Sequence, residues 1–146
     1  MPLTPDELKA RFLREIDRRG GEDRYIDADE ERELLQIALA YGFDAARGRG
    51  LLADVCRGKG YIIERDLRDR LKERLAALAA GGNRLSRADY EQLVKETVAA
   101  VAGTHRTEPD VRRLILTVIE DTPGVRVKTG WFTDWFASQR RRAGLT

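Results

Sequence analysis

A chain of 146 residues that is 42% hydrophobic and 36% charged carries enough apolar content to bury one core, which excludes intrinsic disorder. Its 27 basic and 25 acidic residues nearly cancel, leaving a net charge of +2, so affinity for nucleic acid or an anionic membrane would have to come from a local patch. The lone cysteine, Cys56, excludes an intramolecular disulfide and suits a reducing compartment.

No apolar run approaches the ~20 residues of a membrane span, and the opening MPLTPDELKARF lacks the apolar segment of a signal peptide. A cytoplasmic protein with no membrane contact is expected.

Thr4-Pro5-Asp6-Glu7 reads as a capping box with proline in the first helical turn, where side-chain oxygens satisfy backbone N–H groups that have no helical partner. Leu8, Phe12 and Ile16 then follow at spacing four and predict one buried stripe. Gly20-Gly21 ends that helix. Asp27 to Glu30 opens a second helix with Leu34, Leu35, Ala38 and Tyr41 inward; Gly42 stops it, with Phe43 folding back on the last turn.

Asp44 caps a third helix carrying Leu51, Leu52, Val55 and Cys56. Gly48 and Gly50 lie inside it and each costs up to about 1 kcal/mol relative to alanine. They mark either a close approach or a weak first turn. The fourth helix shows a leucine stripe at 67, 71, 75 and 78 under a face of alternating charge, and Gly81-Gly82-Asn83 breaks it. Ser86 with Asp89 caps a fifth helix with Tyr90, Leu93, Val94, Thr97, Val98 and Val101 inward. Thr107-Glu108-Pro109-Asp110 starts a sixth, which buries Val111, Leu114, Ile115, Val118 and Ile119 and ends at Pro123-Gly124. Val125 and Val127 suggest a short extended segment before a closing aromatic helix.

About seven short helices without a convincing strand pair predict an all-α fold, a compact bundle of six to seven helices in one domain over residues 1–146, with a hinge candidate at 81–83. One pattern recurs: Tyr25-Ile26-Asp27, Tyr61-Ile62-Ile63 and Arg84-Leu85-Ser86 each place an apolar residue before a cap position, with an acid three residues beyond that position. The unequal spacing excludes a solenoid, and recurring cap grammar is the expected explanation.

Chemical motifs are incomplete. The acidic stretch Glu22–Glu33 fails as a calcium loop: in the frame from Asp27, Arg32 stands where the turn needs glycine and Ala38 where it needs the last acid. Capping and the helix dipole explain these acids instead. Cys56 continues a buried face, and His105, the single histidine, lies in a polar loop without a partner at metal-ligand spacing. No catalytic residue, metal or cofactor is expected.

Two surfaces remain. Both tryptophans fall in one segment, where Trp131, Trp135 and Phe136, with Phe132, precede Arg140, Arg141 and Arg142. These aromatics either complete the core or form, with the arginines, a surface for an acidic partner. Separately, Ala38, Gly42, Phe43 and Leu51 resemble the small residue, turn glycine and core positions of a helix-turn-helix spanning 28–57, with Arg47, Arg49, Arg57 and Lys59 available for phosphates and bases. Gly48 replaces the aliphatic residue usual in that motif. The preferred expectation is a non-catalytic, adaptor-like interaction or regulatory domain whose partner is another protein or a second copy of the chain; the alternative is DNA binding.

Overall fold

The computed structural model of the protein describes residues 3–82, 84–122, 124–125, 127 and 135–145. Among them the fold is all-α: α1 Pro5–Gly20, α2 Ala28–Ala40, α3 Ala45–Lys59, α4 Glu64–Ala80, α5 Arg87–Ala100, α6 Glu108–Asp121 and α7 Trp135–Arg142. No described helix is long and apolar enough to cross a membrane.

The chain packs into two units, Met1–Asp66 with Gly103–His105, and Leu67–Ala102 with Arg106–Thr146. The division falls inside α4 and not at the glycine break, where the sequence suggests a hinge. Side-chain partners explain why. Glu64 and Arg65 in the first turn of α4 bind residues of the first unit, whereas Leu67 and Leu71 line a cleft with Leu93 and Thr97 of α5. Gly81 and Gly82 follow α4, Gly82 with φ of +73°; Asn83 lies outside the described residues.

In the first unit, Phe12 and Ile16, Leu34 and Ala38, and Leu52 and Cys56 are buried pairs four residues apart, each pair filling one helix face. Thr4, Asp27 and Asp44 cap α1, α2 and α3 through their side chains. Asp27 and Glu30 complete a reciprocal capping box.

Sequence patterning finds no strand pair, yet β1 Tyr25–Ile26 and β2 Ile62–Ile63 form a two-residue parallel ladder, Tyr25 opposite Ile62 and Ile26 opposite Ile63. Strands this short show no alternation for a pattern to detect. The Ile62 N–H donates to the Arg24 carbonyl at 2.9 Å. Tyr25 donates its hydroxyl to Glu64 at 2.9 Å, and the Ala28 N–H donates to the other oxygen of the same carboxylate at 3.2 Å. Glu64, outside the α2 helix, thus supplies an acceptor at that helix's N-terminus.

The second unit repeats the device. Leu85, just before α5, bridges in parallel to Val127, ahead of α7. Ser86 with Asp89, and Thr107 with Asp110, form capping boxes on α5 and α6. The recurring sequence pattern therefore marks pairing segments as well as helix starts. At its second occurrence the cap position holds Ile63, whose side chain has no oxygen to accept from the helix N–H groups.

Candidate functional site

The second unit builds a polar cleft on an aromatic base. Tyr90 of α5 is fully buried, and Trp135 of α7, 6% exposed, packs against it at 5.3 Å between ring centroids. Phe136, half-buried, meets Trp135 edge-on at 5.8 Å. Gln139 follows Trp135 by four residues, so it occupies the same face of α7 one turn on and is also buried.

Around Gln139 the polar groups converge. Its Oε1 accepts from the Tyr90 hydroxyl and from Arg112 Nη1 of α6, each at 3.4 Å. Arg112 also clamps Glu91 of α5, with Nη1 and Nη2 donating to the two carboxylate oxygens at 3.0 and 2.9 Å. Glu108, one turn before Arg112, sits 3.5 Å from Nη2. The guanidinium lies 5.7 Å from the Tyr90 ring centroid.

This bidentate geometry is the strong form of a charge-assisted bond. The Arg112 bond holds the Glu91 carboxyl below its ordinary range, and Arg112 itself is raised, with Glu91 as the chief cause. Burial pushes the Tyr90 hydroxyl up, opposed by Arg112.

Together Arg87, Glu91, Glu108, Pro109, Arg112, Gln139, Arg142 and Ala143 line a cleft of about 420 Å³, within the usual size of small-ligand pockets. Among the described residues neither Arg87 nor Arg142 has an ion-pair partner. A second cleft, of about 390 Å³ between α4 and α5, is more apolar; the Arg74–Glu96 ion pair at 2.6 Å joins its two helices.

The residues singled out at the C-terminus divide among three fates. Trp135 occupies a core position, 6% exposed, and Phe136 is half-buried beside it. Arg140 pairs with Glu120, Arg141 is exposed, and Arg142 reaches the cleft. Trp131 and Phe132 lie outside the described residues. Sequence reasoning missed Arg87, Glu91, Glu108, Arg112 and Gln139. The Glu108–Arg112 spacing of four was a visible signal, and so was Gln139 on the Trp135 stripe. The tertiary meeting of three helices was not visible.

The helix-turn-helix candidate is partly assembled. Gly42 adopts φ of +90°, as a left-handed turn residue should. A Cβ at Gly48 would lie 3.0 Å from the Ala38 Cβ, so the glycine permits close contact of α2 with α3, while Gly50 faces open space. The four cations are not a uniform patch. Arg47 covers the Phe43 ring at 5.0 Å, Arg57 lies 3.6 Å from Asp54, and Lys59 lies 2.5 Å from Asp17. Arg49 is exposed.

Cys56 is a core residue whose thiol is pushed up to about 12, chiefly by burial and further by Asp66, Glu31 and Asp17. At neutral pH it is protonated and a poor nucleophile. His105 is exposed, in an open polar pocket with Arg18, Arg19, Glu22, Asp23 and Glu30. Among the described residues no group of three or more His, Cys, Asp or Glu is arranged to hold a metal ion.

The chain matches no family model, no curated protein and no solved structure. Its function is therefore argued from its own surface.

Proposed function

We propose that the protein is a non-catalytic helical interaction domain that associates through charge complementarity, with α7 and its surroundings as the cationic partner surface. The observation that carries this reading is the pair of arginines, Arg87 and Arg142, that line one cleft. Neither makes an ion pair within 4 Å among the described residues, Arg87 acting only at longer range on Glu91, and Arg141 is exposed nearby in sequence. Guanidinium groups are planar, permanently charged forks suited to carboxylates, and arginine is enriched at interfaces.

The chain also carries a candidate acidic surface. In the Glu22–Glu33 stretch the Asp29 and Glu33 side chains remain 78% and 59% exposed despite their ion pairs with Arg32 and Arg19. Such exposed pairs contribute little and exchange readily. Association of this stretch in one copy with the arginines of another would be heterologous, and a single sequence can propagate it. The single reduced thiol suits a cytoplasmic setting.

Light scattering coupled to size exclusion, across protein concentration and ionic strength, tests the proposal. Assembly that grows with concentration and dissolves in salt supports it; a monomer under every condition refutes self-association.

DNA binding is a second reading, favoured by the left-handed Gly42 turn and the close Ala38–Gly48 contact. It gains less support because Arg57 and Lys59 are engaged by aspartates and α2 is strongly acidic in its first turn. A duplex titration at low salt decides it: no binding there ends this reading.

A further inference from the structure

We infer that the apolar cleft between α4 and α5 is a docking groove for an aromatic-bearing helical segment of another protein. It shares no lining residue with the arginine-lined cleft and stands independently of the reading proposed for that surface.

The two units follow one plan, and the first displays what fills such a groove. The cap pattern that recurs in the sequence is part of a longer correspondence. Leu8, Phe12 and Ile16 of α1 precede Leu67, Leu71 and Leu75 of α4 by a constant interval, and the same interval carries Leu34 to Leu93 and Asp27 to Ser86. Asp27 and Ser86 both open their helices with a reciprocal capping box. Ile26 pairs in parallel with Ile63, as Leu85 does with Val127. In the second unit α4 and α5 therefore take the parts of α1 and α2.

The first unit closes its version of the groove with its own rings. Phe12 is fully buried, 6.2 Å from Phe43 between centroids, and Tyr41 packs against the same core. At the corresponding positions the second unit has Leu71 for Phe12 and Ala100 for Tyr41. Its α5–α6 connection carries no Phe, Tyr or Trp to serve as Phe43 does. What remains is a cleft of about 390 Å³ whose apolar walls are Leu67, Leu71, Ala77, Leu93 and Ala100. An apolar cavity of roughly 150 Å³ already accepts benzene, so the groove has room for more than one ring.

Its rim and length define the occupant. Arg70, Glu73, Arg74 and Glu96 cancel in charge, and Arg74 is already paired with Glu96. The rim thus selects no net charge, and the walls select an apolar ligand. The α4 wall runs from Leu67 to Ala77, about 15 Å along the helix axis, which matches a helical segment with two rings one turn apart. Among the described residues every Phe, Tyr and Trp is buried or half-buried. The described surface of a second copy offers no free ring, so the partner is a different protein.

The test is a titration of the full chain, ¹³C-methyl-labelled at alanine, with the blocked peptide acetyl-Glu-Ala-Ala-Phe-Ala-Ala-Ala-Phe-Ala-Ala-Lys-amide. It is read at the Ala77 and Ala100 methyl signals, assigned by their loss in Ala77→Ser and Ala100→Ser. Saturable shifts of both are expected, and none with the peptide that carries alanine in place of both phenylalanines. Ala100→Tyr and Leu71→Phe each copy a first-unit residue and close the groove. Each is expected to weaken the peptide roughly ten- to a hundredfold, the equivalent of losing one buried ring.

Unmoved methyl signals, an equal response to the alanine peptide, or full affinity in both variants overturns the groove. Two further results overturn its assignment to a different protein. Movement of the Ala77 and Ala100 signals with protein concentration alone places a second copy there. Movement in Trp131→Ala/Phe132→Ala without peptide places the chain's own aromatics there.

Discussion

Arg112 holds both carboxylate oxygens of Glu91, at 3.0 and 2.9 Å, and this clamp distinguishes it from Arg87 and Arg142, which line the same cleft without such a bond. Arg112 is three-quarters buried and rests over Tyr90, so its removal affects packing as well as charge. Arg112→Ala is expected to cost about 1–2 kcal/mol, above the range of an exposed pair because the guanidinium also packs on the ring. Chemical denaturation measures it; a change below a few tenths would show that the clamp contributes nothing.

The same pair predicts a pH dependence. The folded Glu91 pKa lies below its ordinary value of 4.5. A depressed carboxylate contributes stability that is fully present above the unfolded pKa and is lost as pH falls through the folded one. Its effect therefore appears below about pH 4.5. Glu91→Gln is expected to narrow the gap to wild type as pH drops from 6 toward 3, read from urea midpoints. A gap independent of pH would contradict the assigned shift.

Trp135→Ala is expected to destabilise the protein by about 3–5 kcal/mol, the usual cost of emptying a buried aromatic position, because the indole is 6% exposed against Tyr90. Trp135→Phe should recover much of that loss. A well-folded Trp135→Ala protein with altered association alone would return Trp135 to the surface role considered from sequence.

Gly48 and Gly50 give a paired test. Alanine is the better helix former by up to about 1 kcal/mol, and a Cβ at Gly50 meets nothing within 4 Å, so Gly50→Ala should raise stability. At Gly48 the new Cβ would sit 3.0 Å from that of Ala38, so Gly48→Ala should gain nothing or lose stability. Thermal midpoints of the two variants check this; equal gains would show that the α2–α3 contact is slack.

Much of the architecture was legible because it is written locally. Thr4, Asp27, Asp44, Ser86 and Thr107 all cap helices through their own side chains, and a cap is a relation within four residues. Stripes such as Phe12–Ile16 and Leu71–Leu75 were legible for the same reason. The parallel ladder and bridge were not, because Tyr25 meets Ile62 and Leu85 meets Val127 across long stretches of chain.

The cleft illustrates the same limit. Arg142 stood out from sequence as part of an arginine run, but Arg87, Arg112 and Gln139 become one site only when three helices meet. Gln139 carries no sequence signal of its burial beyond its distance of four from Trp135. Gly48, which departs from the usual helix-turn-helix residue, proves to be where α2 and α3 touch.

The most direct test of the interaction reading is light scattering of wild type and of Arg141→Glu/Arg142→Glu, at low and high salt over a wide concentration range. The expected result is concentration-dependent assembly of wild type at low salt, dispersed by salt and abolished by the charge reversal. Monomers of both proteins under every condition, or assembly indifferent to salt and to the reversal, would contradict it.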